Sequence, residues 1–206
     1  MQLGLEGKSV IVTGGSRGIG RAIAHTFADE GAQLALCARG SEALEKTADE
    51  LRGKGAKVFS QACNVADAGA LEAFLDGARE ALGAVHVLVN NAGYHQRGPV
   101  LTVDSGDLAA MIDVNLRGPI VLSRLAIPMI KEAGEGAIIN VASLAGRTPV
   151  PGAATYSASK FGMRAFTFAL AEELRDTNIK VAAVSPGPID TGFIICLLYT
   201  SPSPRD

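Results

Sequence analysis

Short apolar runs at residues 10–13, 34–38, 58–62, 85–89, 137–141 and 179–184 alternate with longer segments whose apolar residues recur at helical spacing. That alternation constrains this chain more than any other feature. In residues 17–30, Ile19, Ile23, Ala24 and Phe27 fall on one helix face. Segments 42–52, 68–82, 105–131 and 154–175 read as further helices. Strand, helix and strand at this cadence fold by right-handed crossovers into a parallel sheet covered on both faces. The strands are nearly continuous apolar runs, as doubly buried strands are. The predicted class is therefore α/β, a doubly wound parallel sheet. Ser41 and Asp67 stand where helix N-caps belong, and Gly31, Gly53, Gly55 and Gly83 where helices stop. Pro119 and Pro128 predict a bend or distorted turn within 105–131.

Composition narrows the function classes. The chain has 206 residues, 48% of them hydrophobic, enough to bury the core of one domain. The net charge of -2 argues against a nucleic-acid partner, since neutralising phosphates needs surplus Lys and Arg. Cys37, Cys63 and Cys196 show no C-x-x-C spacing, which suits a reduced cytoplasmic setting. His25, His86 and His95 have no partner at ligand spacing, so no metal is expected. No apolar run approaches the roughly 18 residues of a membrane span, and the first residues enter a strand without a leader pattern. A cytoplasmic protein without a membrane partner is the expectation.

The first strand leads into Thr13-Gly14-Gly15-Ser16-Arg17-Gly18-Ile19-Gly20. A helix N-terminus exposes unpaired N–H groups and partial positive charge, and glycines let the backbone approach a pyrophosphate. The spacing here is G-x-x-x-G-x-G, so a glycine turn serving only packing is the alternative. The second strand ends in Ala38 and Arg39 rather than in a carboxylate that would accept ribose hydroxyls. A guanidinium suits a 2′-phosphate, and Arg17 offers a second. This favours NADP over NAD, against the plain reading of Arg39 as a surface arginine.

Tyr156 and Lys160 are four apart on one helix face, and Ser143 lies at the end of the fifth strand, where parallel sheets bind ligands. Singly they read as a packing tyrosine, a solvated lysine and a turn serine. Together, downstream of a dinucleotide loop, they read as a catalytic set.

With Thr13–Gly20, the run Asn90-Asn91-Ala92-Gly93, Asn115 and Pro186-Gly187, this set resembles the short-chain dehydrogenase/reductase family. The chain is most similar there to 3-oxoacyl-carrier-protein reductases and related carbonyl reductases. The resemblance implies a Rossmann-like sheet with six of the usual seven strands present. It implies NADPH-dependent, reversible reduction of a ketone or 3-oxoacyl thioester. Tyr156 would be the proton donor, Ser143 would hold the substrate oxygen, Lys160 would hold the nicotinamide ribose, and Asn115 would hold a relay water. Tyr156 and Ser143 would touch substrate. A Lys160 ammonium about 5 Å from the phenol would favour phenolate by about 3 kcal/mol at an effective dielectric near 20, or roughly two pKa units. Cofactor contacts are implied at Gly14, Ser16, Arg17, Gly18, Ile19, Gly20, Arg39, Asn64, Val65, Asn91, Ala92, Gly93, Tyr156, Lys160, Pro186, Gly187, Ile189 and Thr191. Tyr94, His95, Gln96 and residues 144–150 would form substrate walls. The partners expected are a small carbonyl or alcohol substrate and further copies of the chain, paired through the helices around Asn115 and Tyr156. A non-catalytic NADP sensor and an inactive truncated fragment are the alternative readings.

Residues 1–195 read as one dinucleotide-binding domain, incomplete at its C-terminus by the family pattern. Residues 196–206 read as a non-native tail, because they match one reading frame of a transposon-type sequencing adapter. On that reading the sixth strand would be an apolar edge and the cleft would lack a lid, so low stability and little activity are expected.

Overall fold

The structure, a computed structural model, describes residues 3–191; the segment read as adapter lies outside the described residues. The apolar runs form β1 (Ser9–Thr13), β2 (Gln33–Ala38), β3 (Val58–Ala62), β4 (Val87–Asn90), β5 (Gly136–Val141) and β6 (Ile179–Val184). Between them run α1 (Gly18–Asp29), α2 (Ser41–Gly53), α3 (Ala68–Leu82), α4 (Ser105–Ile112), α5 (Gly118–Glu132) and α6 (Ala154–Glu173). The strands pair in parallel in the order β3-β2-β1-β4-β5-β6. This is the doubly wound parallel sheet that the alternation predicts, of the Rossmann-like kind that the resemblance implies.

β1 explains why the sheet needs two covered faces. All five of its residues are buried. Val10 and Val12 join a core with Ala24 of α1 and Leu44 and Leu51 of α2. Ile11, pointing the other way, joins a core with Phe74 of α3, Leu122 and Ile130 of α5 and Leu170 of α6. The chain steps outward from β1 to β2 to β3, then returns to place β4 on the other side of β1. The connections leaving β1 and β4 diverge there, and a crevice opens at the strands' carboxyl ends.

Local departures from the sequence reading have identifiable causes. Ser41 is the first helical residue rather than a cap, and Gly40 precedes it without a side-chain cap bond. Asp67 does cap α3, accepting from Ala70 N at 3.1 Å. β4 starts at Val87 rather than at residue 85, because Ser9 N donates to the His86 ring at Nδ1, 3.1 Å, where the ladder would need a carbonyl. The distorted turn expected within 105–131 is a π-helical turn, Asp113–Arg117, between α4 and α5. Pro119 follows that turn and lacks the N–H that an α-helix would give to the carbonyl of residue 115. Pro128 is accommodated within α5.

One polar chain crosses the interior. Asn90 and Asn140 are register partners on β4 and β5, 2% and 0% exposed. Asn90 Nδ2 donates to Asn140 Oδ1 (2.8 Å) and to Ser123 Oγ of α5 (3.1 Å). Asn140 Nδ2 donates to Thr167 Oγ1 of α6 (2.9 Å). The chain thus ties the two helices to the strands beneath the crevice. Leaving such buried groups unpaired costs about 1–3 kcal/mol each. Asn140→Ala is therefore expected to lower stability by about 2–4 kcal/mol in urea unfolding. The double variant Asn90→Ala/Asn140→Ala should lose less than the two single losses summed, and strict additivity would refute the coupling.

Candidate active site

The crevice is built first by backbone. Gly14 and Gly18 hold positive φ, +68° and +55°, in the turn that leaves β1. The N–H groups of Gly14 and Gly15 donate to the Cys37 carbonyl of β2 at 2.8 and 3.1 Å. A Cβ at Gly20 would stand 2.2 Å from the Gly14 carbonyl oxygen, so only glycine lets α1 start this close to the strand. Arg17 is the N-cap of α1 and makes no side-chain cap bond.

Across the crevice, Thr13 Oγ1 accepts from both Asn91 N and Ala92 N at 3.0 Å. Asn91 Nδ2 returns bonds to the Thr13 carbonyl at 2.9 Å and to the Gly14 carbonyl at 3.3 Å. The loop after β4 is thereby fastened to the glycine turn. Sequence reasoning used Thr13 only as a motif letter. Its signal was available: a hydroxyl at the end of a fully apolar strand needs polar partners.

The cofactor residues implied by the motifs, from Gly14 to Thr191 and including Tyr156 and Lys160, all line one cleft of about 1000 Å³. Cys63, Val114 and Val141 also line it and were not anticipated. Arg17 and Arg39 lie exposed on its rim, and neither forms an ion pair among the described residues. A glycine turn at a helix N-terminus beside two free guanidiniums fits a dinucleotide phosphate group by its own chemistry.

At the far side of the cleft stand Ser143, Tyr156 and Lys160. The Ser143 hydroxyl accepts from Ala145 N (3.1 Å), capping a short turn, Leu144–Gly146, that fixes it after β5. Tyr156 is 6% exposed. Lys160, one helical turn on, is 3% exposed; its Nζ donates to the Val141 carbonyl (2.8 Å) and lies 5.9 Å from the Tyr156 ring centre.

The charge balance differs from the one expected from sequence. Burial lifts the Tyr156 phenol above its ordinary value, and the Ser143 hydroxyl beside it offsets part of the rise. Burial lowers the Lys160 ammonium to about 8. The lysine is held on a strand carbonyl, and desolvation rather than the lysine charge dominates the phenol.

Asn115 does not line the cleft. Its side chain, wholly buried in the π-helical turn, accepts from Tyr94 N (2.7 Å) and donates to the Tyr94 carbonyl (2.8 Å) and Ser159 Oγ (3.1 Å). It clamps the loop after β4 to α6, so its side chain is already occupied by protein groups. Tyr94 is further held by its hydroxyl, which donates to Asp107 (2.5 Å). His95 then packs its ring on Tyr156, centres 4.4 Å apart. Burial, with Arg97 adding to it, lowers the His95 pKa.

No group of metal-ligating side chains occurs among the described residues, and no helix there is long and apolar enough to cross a membrane.

Residues 8–195 match the family model described as short chain dehydrogenase. The 3-oxoacyl-[acyl-carrier-protein] reductase of Staphylococcus aureus is 39% identical over 87% of this chain and 74% of its own length. Among solved structures, a short chain dehydrogenase/reductase from Burkholderia phymatum in complex with NAD matches with TM-score 0.89 at 32% identity, covering 92% of this chain and 68% of that one. A variant of the actinorhodin polyketide ketoreductase with NADPH matches with TM-score 0.86 at 38% identity, covering 89% and 71%.

The buried lysine has a measurable consequence. Its pKa is lowered on folding, so between about 8 and the unfolded value near 10.4 the unfolded chain binds the extra proton and stability rises with pH. Lys160→Met, which removes the buried charge, is expected to stabilise the chain at pH 7 relative to the parent. That gain should shrink toward pH 10. Urea midpoints of the two proteins at both pH values measure it, and a gain independent of pH would refute the burial penalty.

Proposed function

The chain belongs to the short chain dehydrogenase family of NAD(P)-dependent oxidoreductases, and on that premise we propose that it reduces a ketone or 3-oxoacyl thioester to the alcohol with NADPH. The observation that carries this reading is the convergence of Ser143, Tyr156 and Lys160 on the cleft that the glycine turn also lines. A sensor without catalysis has no need of that trio.

The nicotinamide, when bound, supplies the hydride. Ser143 holds the substrate oxygen through its hydroxyl, which lies beside the phenol. Tyr156 gives its proton to that oxygen as negative charge develops on it. A raised phenol pKa keeps Tyr156 protonated and ready to donate at neutral pH. Lys160 holds the ribose and returns the proton, and an ammonium with pKa about 8 gives up its own readily. The Asn115 side chain, committed to Tyr94 and Ser159, is not free to hold the relay water that the resemblance implies, and it acts as a positioning residue for the loop after β4.

NADPH is favoured over NADH because exposed Arg39 can meet a 2′-phosphate while Ala38 offers no carboxylate to ribose hydroxyls. The solved relatives include both an NAD and an NADPH complex. A homo-oligomer paired through α5 and α6 fits the exposed Phe161 and Phe168 on α6.

A panel of ketones and acyl thioesters with NADPH tests the proposal. Tyr156→Phe should reduce kcat by about a thousandfold or more while leaving most cofactor affinity. Near-normal turnover by that variant would overturn the assignment of the proton donor. In the same assay Arg39→Ala should weaken NADPH about tenfold or more, because the 2′-phosphate then loses the guanidinium at the end of β2 and keeps only Arg17. The same change should leave NADH little affected. Equal losses for both would refute the NADP preference.

A further inference from the structure

The catalytic reading leaves two thiols unused, Cys37 and Cys63. Cys37 is the fifth residue of β2 and is wholly buried. Cys63 follows β3, is 4% exposed and lines the cleft. The strands are in register, with Cys37 opposite Gln61. Pairing extends past β3 through Cys63 N, which donates to the Ala38 carbonyl (2.9 Å). Side chains alternate along a strand, so Gln61 and Cys63 share a face with Cys37. Both cysteines belong to the apolar cluster on the α3 side of the sheet.

The two thiols also interact. Their proximity raises the Cys37 pKa, with burial adding to it, and lowers that of Cys63. Of the pair, Cys63 has the more readily ionised thiol and lines the cleft, and Cys37 stands behind it.

We propose that Cys37 and Cys63 form an oxidisable dithiol, in which a hydroperoxide entering the cleft converts Cys63 to a sulfenic acid that Cys37 then resolves to a disulfide. In the first step Cys63 sulfur attacks one peroxide oxygen, the O–O bond breaks, and the other oxygen leaves as an alcohol. In the second, Cys37 sulfur attacks Cys63 sulfur, the S–O bond breaks and water leaves. The two thiols lose two electrons and two protons, and the hydroperoxide is reduced to alcohol and water.

The bridge reaches the glycine turn through Cys37. Its carbonyl accepts from both Gly14 N and Gly15 N. Parallel strands lie about 4.8 Å apart and rise about 3.3 Å per residue, which puts Cα atoms offset by two residues roughly 8 Å apart, while a disulfide prefers about 5.5–6 Å between Cα atoms. Closing the bridge therefore draws the ends of β2 and β3 together and shifts the carbonyl on which the turn hangs. Oxidation weakens nucleotide binding, and a bound nucleotide shields Cys63. This consequence rests on the cleft reading proposed above, whereas the bridge itself does not.

The test uses the full chain with Cys196→Ser, so that only this pair reports. The protein is treated with tert-butyl hydroperoxide with and without NADPH, mapped by mass spectrometry without reduction, and titrated with NADPH. The expected results are a linked Cys37–Cys63 peptide, an NADPH affinity lower by about tenfold, and recovery with dithiothreitol. NADPH present during treatment should slow the linkage. Cys63→Ser should keep its own starting affinity through treatment, and Cys37→Ala should hold Cys63 as a dimedone-reactive sulfenic acid. The proposal is overturned if both thiols remain alkylatable after treatment, or if Cys63→Ser loses affinity as the parent does. A bridge that forms without moving NADPH affinity overturns the coupling to the turn. Failure of the untreated protein to bind NADPH overturns the cleft reading and leaves the bridge to be judged by the mapping alone.

Discussion

One hydroxyl holds the site open. Where β1 and β4 part, their ends carry N–H groups that no neighbouring strand can satisfy. Thr13 Oγ1 accepts from two of them, Asn91 N and Ala92 N. Asn91 fastens the other direction by donating to the Thr13 and Gly14 carbonyls. With these polar groups paired inside the protein, the crevice keeps its shape without filling with its own side chains. The glycine turn on one wall and the loop carrying Tyr94 and His95 on the other take their positions from this fastening.

The wall that carries Tyr156 and Lys160 obeys a different constraint. Tyr156 and Lys160 are nearly as buried as core residues, and burial raises one pKa while lowering the other. Both shifts favour neutral side chains. They also set an order within the pair: Tyr156 holds its proton more tightly than Lys160 does. The cost falls on stability, and the polar chain from Asn90 through Asn140 to Thr167 helps hold α5 and α6 against the sheet beneath it.

Much of this was legible in the sequence. Alternation of strand and helix periods implied the parallel sheet, because a strand buried on both faces has few residue types open to it. The glycine turn, Ser143, Tyr156 and Lys160 were legible because their chemistry requires those types at those spacings. Three things were not. The strength of burial around Tyr156 depends on residues distant in sequence, so the phenol shift could not be read from Lys160 alone. The side-chain role of Asn115 depends on the meeting of a π-helical turn, Tyr94 and Ser159. The start of β4 turned on the His86 ring taking a strand donor, which no period of apolar residues reveals.

The two cores on opposite faces of the sheet have a consequence for how such a protein can change. The glycine turn leads into α1, and Arg39 leads into α2, both packed on one face. α5 and α6 pack on the other, and α6 carries Tyr156 and Lys160. Residues on the two sides share few neighbours, and substitutions at well-separated sites act nearly independently. A lineage could therefore retune which nucleotide it accepts on one face while its substrate chemistry drifts on the other. Each trait would remain open to selection without waiting for the other to be repaired.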